Sequence, residues 1–208
     1  MTQTEPAVFI VDDDESVRKS LARLITSVGL KVETFSSATD FLKREPYDGP
    51  ACLVLDIRMP GLSGLDLQAE LSKAVHPPSI IFISGHGNIP MSVQAIKAGA
   101  VDFIEKPFDE QVLLDTVHYA IQKDRRAKTE QAELKEIHER VESLTPRERE
   151  VFSLVVTGML NKQIAFEIGI SERTVKAHRS KMMQKMKAES LADLIRMAEK
   201  TQVYFPKA

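Results

Sequence analysis

Apolar and polar positions follow a regular order over the first 124 residues of the chain. Five runs rich in β-branched, aliphatic and aromatic side chains predict buried strands: Ala7–Val11, Lys31–Phe35, Ala51–Leu55, Ser79–Ile83 and Val101–Glu105. Between them, apolar residues recur at helical spacing. Strands that alternate with helices indicate βαβ units, so we predict an α/β fold with a five-stranded, doubly wound parallel sheet in the flavodoxin-like order 2-1-3-4-5.

Residues 125–142 differ in composition, with neither Gly nor Pro, few apolar side chains and many helix formers. We predict a solvent-exposed helical linker that continues the fifth helix of the first domain. A flexible coil is the alternative, because charge density alone is compatible with both. The predicted division is a first domain at 1–124, a linker at 125–142 and a second domain at 143–208.

Residues 143–208 carry the start and stop signals of four helices. Thr145 to Glu148 has the pattern of a capping box, with Pro at the first helical position. Gly169 stands where the second of these helices must end. Three further positions suit N-caps: Asn161, Ser171 and Ser190. We therefore predict an all-α second domain.

The composition of the chain fits a cytoplasmic protein. No run approaches the ~18 apolar residues of a membrane span, and the N-terminus lacks an export signal. The one cysteine, Cys52, lies in an apolar run and is expected to be a core residue. We expect a cytoplasmic protein with no membrane partner.

Charge differs sharply between the two halves. Residues 1–124 hold 18 acidic and 11 basic side chains, a net charge of -7, whereas residues 125–208 hold 12 and 17, a net charge of +5. The halves are therefore expected to bind different partners.

Acidic residues follow two of the predicted strands. The sequence VFIVDDDES runs from the first strand into Asp12 and Asp13, and CLVLDIRMPG places Asp56 at the end of the third. These strands are neighbours in the predicted order, so their carboxyl ends bring the acids together. Clustered carboxylates repel each other, and a hard cation such as Mg²⁺ removes that cost. Helix capping is the alternative for the first cluster and fully accounts for Asp14 and Glu15.

Two further strand ends complete a phosphoryl site. Ser84 ends the fourth strand, and Lys106, followed by Pro107, ends the fifth. A metal and an ammonium offset phosphoryl charge, and a carboxylate can be the nucleophile.

The motifs VDDDES, LDIRMPGLSG, ISGHG and AGAVDFIEKPF resemble, in order and spacing, the receiver domain of two-component response regulators. The resemblance implies that Asp56 accepts phosphate from a histidine kinase, and that Asp13, Asp56 and the Arg58 carbonyl hold Mg²⁺, with Asp12 acting on the ion mainly through water. It further implies phosphoryl binding and switching by four residues, with a cis peptide bond before the last: Ser84, Phe103, Lys106 and Pro107.

Arg58 and His86 flank the proposed phosphoryl site without belonging to it. Groups at this rim control the approach of the hydrolytic water, so we predict that they tune the lifetime of the phosphorylated state. The alternative is that both are solvated loop residues.

The basic half contains NKQIAFEIGISERTVKAHRSKMMQKM, two helices joined by a Gly-containing turn, the pattern of a helix-turn-helix. Val175, Met182 and Met186 recur at helical spacing and should face the core. The candidate DNA contacts lie on the other faces: Lys162, Thr174, Lys176, Ala177, Arg179, Ser180, Lys181 and Lys185. A solvated basic helix face is the alternative.

This half resembles the LuxR-type DNA-binding domain, and the whole chain is similar to the NarL/FixJ family of response regulators, with motifs that favour the FixJ branch. The resemblance implies activation of transcription, with RNA polymerase as a further partner, and dimerisation through the last helix by Leu191, Leu194, Ile195 and Ala198.

The predicted function is a transcription regulator that is phosphorylated on Asp56, forms a homodimer and binds double-stranded DNA at two half-sites. It is expected not to be an enzyme beyond slow self-dephosphorylation. Two alternatives remain: a constitutive DNA-binding protein with a structural receiver, and a metal-dependent phosphohydrolase.

Overall fold

The computed structural model describes residues 4–74, 76–85 and 89–201. The strands within these ranges are β1 (Ala7–Val11), β2 (Lys31–Phe35), β3 (Ala51–Asp56), β4 (Ser79–Ser84) and β5 (Asp102–Glu105). The helices there are α1 (Glu15–Ser27), α2 (Ala38–Leu42), α3 (Gly64–Leu71), α4 (Ile89–Lys97), α5 (Glu110–Glu142), α6 (Pro146–Val156), α7 (Asn161–Glu167), α8 (Glu172–Met186) and α9 (Leu191–Thr201).

The strands form one parallel sheet in the order β2-β1-β3-β4-β5, which confirms the predicted fold class. Strand bounds match the predictions within one residue. The continuous apolar runs of β1, β3 and β4 mark strands that are buried on both faces.

Alternate side chains of each strand enter two separate cores. In β1, Val8 and Ile10 pack with α1 and α5, whereas Phe9 and Val11 pack with α2 and α3. The sheet is thus covered by helices on both faces. Polar side chains of a functional site can therefore lie together only at the ends of the strands.

Helix α5 is continuous over 33 residues, from Glu110 to Glu142, so the segment predicted as a helical linker is helical. The chain divides into two compact units that meet at Thr129 and Glu130, within this helix. Residues 130–142 therefore fall in the second unit, and Ile137 and Val141 contribute to its core.

The second unit is a helical domain whose core is formed by α6, α7, α8, α9 and the end of α5. The capping box of Thr145 and Glu148 is present, and Ser171 caps α8. The sequence predicts Asn161 as the N-cap of α7, but the N-cap is Leu160. The Asn161 side chain accepts a hydrogen bond from Arg179 instead. No helix in the described ranges is long and apolar enough to cross a bilayer.

Candidate functional site

The carboxyl ends of β1, β3 and β5 bring two carboxylates and one ammonium together. Lys106 Nζ donates to Asp12 Oδ2 at 2.9 Å and to Asp56 Oδ1 at 3.1 Å. The parallel register produces this meeting, since Val11 lies opposite Leu55 and each Asp follows its strand partner. Asp12 is 1% exposed and Asp56 7% exposed, so this cluster is a buried charged group at the edge of the sheet.

The pKa values of Asp56 and Lys106 are each influenced by the charge of the other. Burial raises the pKa of Asp56, although the charge of Lys106 and its hydrogen bond act to lower it. Partial burial acts to lower the pKa of Lys106, but hydrogen bonds and charges from Asp12 and Asp56 raise it overall. Lys106 therefore stays protonated and keeps positive charge beside Asp56.

The remaining oxygen of Asp56 is fixed as well. The Arg58 amide donates to Asp56 Oδ2 at 2.7 Å, in the turn that follows β3. The Arg58 side chain itself is exposed beside the site. Each carboxylate oxygen of Asp56 therefore accepts a hydrogen bond, Oδ1 from Lys106 and Oδ2 from the Arg58 amide, and the two bonds orient the carboxylate.

The predicted three-carboxylate cluster is not assembled as a metal centre. Asp13 is exposed, and among the described residues no three His, Cys, Asp or Glu side chains form a group that could hold a metal ion. Lys106 instead supplies the positive charge between Asp12 and Asp56. The oxygen donors still fit Mg²⁺, which takes few carboxylates and keeps several waters: Asp12, Asp13, Asp56 and the Arg58 carbonyl.

The other predicted phosphoryl-binding residues lie at the neighbouring strand ends. Ser84 is buried at the end of β4, and its carbonyl accepts from the Lys106 amide at 2.8 Å. Phe103 of β5 is half-buried and packs against the core on the α4 side. The Lys106–Pro107 peptide bond is cis, as the resemblance implied. His86 lies outside the described residues.

Gly64 is a residue of this site that the sequence analysis missed. A Cβ atom added there would lie 2.3 Å from the Asp56 carbonyl oxygen, and the Gly64 amide donates to the Ile57 carbonyl at 2.9 Å. Only glycine permits this approach of backbone to backbone. The signal for it is the glycine that ends the LSG triplet after the Met-Pro-Gly turn.

The helix-turn-helix is formed by α7 and α8, with Gly169 in the left-handed region at φ 68° between them. Val175, Met182 and Met186 are fully buried, as predicted. The structure exposes a contiguous set of candidate DNA contacts on α8, together with one on α7: Thr174, Lys176, Ala177, Ser180, Lys181 and Lys162.

Two of the predicted DNA-binding side chains have partners inside the domain. Arg179 is half-buried and donates to Asn161 Oδ1 at 3.0 Å, which fixes its guanidinium between α7 and α8. Lys185 donates to Glu148 Oε2 at 2.6 Å and to the Ser143 carbonyl at 3.0 Å. Lys185 therefore joins α8 to the start of α6.

The predicted dimerisation residues are divided by the structure. Leu194 and Ala198 are buried in the core of their own domain, at 0% and 2% exposure, and are corrected from interface to core residues. Leu191 is exposed and Ile195 is half-buried. The apolar face of α9 thus mainly packs on its own domain, because α6 covers it.

Family models match both halves of the chain. Residues 8–118 match the response regulator receiver domain, and residues 142–198 match the bacterial regulatory proteins of the luxR family.

The chain also resembles complete regulators. It is 52% identical to nodulation protein W of Bradyrhizobium diazoefficiens, covering 94% of this chain and 86% of the relative. It is 46% identical to the transcriptional regulatory protein FixJ of Rhizobium meliloti, covering 94% and 96%. Among solved structures, the response regulator StyR aligns with a TM-score of 0.86 at 46% identity, covering 95% of this chain and 100% of that one.

Proposed function

Because the chain belongs to the NarL/FixJ family of response regulators, we propose that Asp56 accepts a phosphoryl group from a histidine kinase and thereby controls DNA binding. The combination of a receiver and a LuxR-type DNA-binding domain makes the chain a phosphorylation-responsive transcription regulator. The observation that carries the finer proposal is the bridge from Lys106 to Asp12 and Asp56. It holds a buried carboxylate beside a cation at the end of a strand.

In the proposed transfer, an Asp56 carboxylate oxygen attacks phosphorus while the bond from phosphorus to the kinase imidazole breaks. Lys106 pairs with the phosphoryl oxygens and offsets their charge. A Mg²⁺ ion at Asp12, Asp13, Asp56 and the Arg58 carbonyl would, when bound, neutralise further phosphoryl charge. The Arg58 amide keeps Asp56 oriented during the attack, because it already binds the second carboxylate oxygen.

The phosphorylated state is proposed to differ through Ser84 and Phe103. The Ser84 hydroxyl turns toward the phosphoryl oxygens, and Phe103 packs into the space that it leaves. The surface of α4, β5 and α5 then changes and forms a homodimer. A bias of a few kcal/mol between two states suffices for such a switch.

DNA recognition is assigned to α8. Lys176, Ala177 and Ser180 lie on the outer face of α8 and suit contact with base edges, while Lys181 flanks this face and suits contact with a phosphate. A dimer places two such helices on half-sites about one helical turn apart. We propose an activator in the cytoplasm that acts with RNA polymerase.

Two competing functions make different predictions with acetyl phosphate and Mg²⁺. The proposed function gives one acyl phosphate per chain, slow self-dephosphorylation and tighter DNA binding. A constitutive DNA-binding protein gives no acyl phosphate and unchanged DNA affinity, whereas a phosphohydrolase gives continuous release of phosphate. The experiment therefore measures bound phosphoryl groups, released phosphate and operator affinity on the same sample.

A further inference from the structure

Asp12 is held at four polar atoms, and one of these contacts is made by a side chain from outside the predicted phosphoryl site. Its amide donates to the Phe35 carbonyl at 3.3 Å. Its Oδ1 accepts from the Asp14 amide at 2.9 Å, and its Oδ2 accepts from Lys106. Its carbonyl accepts a hydrogen bond of 2.6 Å from Arg18 Nη1, on the second turn of α1.

Arg18, on α1, binds back to the turn of Asp12, Asp13 and Asp14 that precedes this helix. Asp14 caps α1 by accepting from the amides of Ser16 and Val17, so the far end of the turn is fixed to the helix start. Arg18 reaches back from the same helix to the other end of the turn, at Asp12. The backbone that carries Asp12 and Asp13 is therefore clamped at both ends.

The contact is energetically significant because of where its acceptor lies. Asp12 is 1% exposed, so its carbonyl would lose its hydrogen bond without gaining full access to water if Arg18 were shortened. A charged donor makes a stronger hydrogen bond than a neutral one. Loss of the guanidinium would remove the contact that ties Asp12 to the side chain of α1, so the backbone that carries both acids would be held less firmly.

We propose that Arg18 is a positioning residue that presents Asp12 and Asp13 to Mg²⁺, an inference that rests on the proposed function. Residues that orient metal ligands typically contribute 10- to 100-fold to affinity, and we expect about a tenfold loss of Mg²⁺ affinity in Arg18→Met. Phosphorylation at low Mg²⁺ slows accordingly, while its maximal rate at saturating Mg²⁺ recovers.

If Arg18 acted only through its charge, its removal would change the Mg²⁺ affinity in the opposite direction. Removing a cation near clustered acids would tighten Mg²⁺ binding by roughly two- to fivefold, the range of a partly exposed charge pair. Arg18→Lys separates the two roles, because lysine keeps the charge but loses the planar fork and its reach. Positioning weakens Mg²⁺ binding in both variants, whereas pure electrostatics leaves the lysine variant unchanged.

The test is isothermal titration of Mg²⁺ into the full-length chain without a phosphodonor, since the chain has no tryptophan to report binding by fluorescence. Arg23→Met is the matched control: it removes the same charge from an exposed position of α1 and should bind Mg²⁺ like the wild type. Thermal unfolding verifies that each variant is folded.

The outcomes separate the inference from the function on which it rests. Weaker binding in both Arg18 variants, with Arg23→Met unchanged, supports positioning. Wild-type or tighter binding in Arg18→Met overturns it while the proposed function stands. A wild-type chain that binds no Mg²⁺ overturns the metal assignment of the proposed function, and this inference with it.

Discussion

The amide of Ala51, the first residue of β3, donates a hydrogen bond of 2.9 Å to Asp124 Oδ2 on α5. Asp124 is buried, and two further side chains reach the same carboxylate: His76 Nε2 at 3.0 Å and Lys128 Nζ at 3.2 Å. Lys128 also donates to the Gly49 carbonyl at 2.5 Å. The start of β3 is thus fastened to α5 at the edge of the sheet opposite the phosphoryl site.

Asp124→Asn should destabilise the first unit by about 2–3 kcal/mol. An amide cannot accept from all three nitrogens, and its own NH₂ group would face a donor. Urea unfolding and hydrogen exchange of the β3 amides measure the effect. Asp115→Asn, at an exposed position of the same helix, is the control and should leave both unchanged. Equal protection of the Ala51 amide in wild type and Asp124→Asn would contradict the anchoring role.

Asp56→Asn should abolish phosphorylation and phosphorylation-enhanced DNA binding while the fold is retained. Asparagine has nearly the shape of aspartate but no nucleophilic carboxylate. Uptake of radiolabel from acetyl phosphate is the measurement. Asp13→Asn keeps the nucleophile and should still be labelled, but only at higher Mg²⁺ concentration. Wild-type labelling of Asp56→Asn would show that the acceptor lies elsewhere.

Glu148 should make the stability of the second unit depend on pH. The Lys185 hydrogen bond, followed by the Thr145 amide, lowers the pKa of Glu148 from its ordinary value of 4.5. A carboxyl whose pKa is depressed by folding stabilises the fold above its unfolded pKa, and this contribution is lost as the pH falls through the folded pKa.

Glu148→Gln should therefore be about 1 kcal/mol less stable than the wild type at pH 7, because it loses the charge-assisted bond to Lys185. The difference should narrow below about pH 4.5. Thermal unfolding across this range tests it. Glu150→Gln, which removes a surface ion pair on the same helix, serves for comparison and should show little change. A difference that persists undiminished in acid would exclude the ionised carboxylate as its source.

Lys176→Ala and Arg179→Ala should weaken DNA binding in different ways. Lys176 is exposed on the outer face of α8, so its loss should cost about 1–3 kcal/mol and relax sequence choice. Arg179 is held by Asn161 at the edge, so its loss should weaken all sequences alike and lower the salt slope by about one unit. Binding titrations on operator and random DNA at several salt concentrations distinguish them.

Lys185→Met is the control for these variants. Its ammonium is paired with Glu148, so the variant should lose stability but keep the wild-type salt slope. Identical, sequence-independent losses in Lys176→Ala and Arg179→Ala would contradict the proposed orientation of α8.

The sheet and the strand-end residues could be predicted because they follow from local patterns. Buried parallel strands appear as continuous apolar runs, and parallel strands bring their carboxyl ends to one edge. The meeting of Asp12, Asp56 and Lys106 therefore follows from the strand order alone.

Contacts between distant segments could not be predicted in this way. Periodicity identifies the apolar face of α9 but not what covers it, so it predicts an interface for Leu194 and Ala198, which the structure buries in the core of their own domain. Lys185 belongs to a basic stretch, and nothing local reveals that Glu148 binds it. Asp124 looks like a surface acid in a charged helix, although its partner Ala51 lies 73 residues earlier.

The six residues of β3 lie between two fixed points, the Ala51 amide on Asp124 and the Asp56 backbone against Gly64. Successive side chains of a strand point to opposite faces, so removing one residue would reverse the direction of every side chain beyond it. Exchanges among the apolar residues of β3 are therefore compatible with a working site, whereas a one-residue insertion or deletion is not. The two ends of β3 thus constrain the length of the strand more tightly than the choice of its apolar residues.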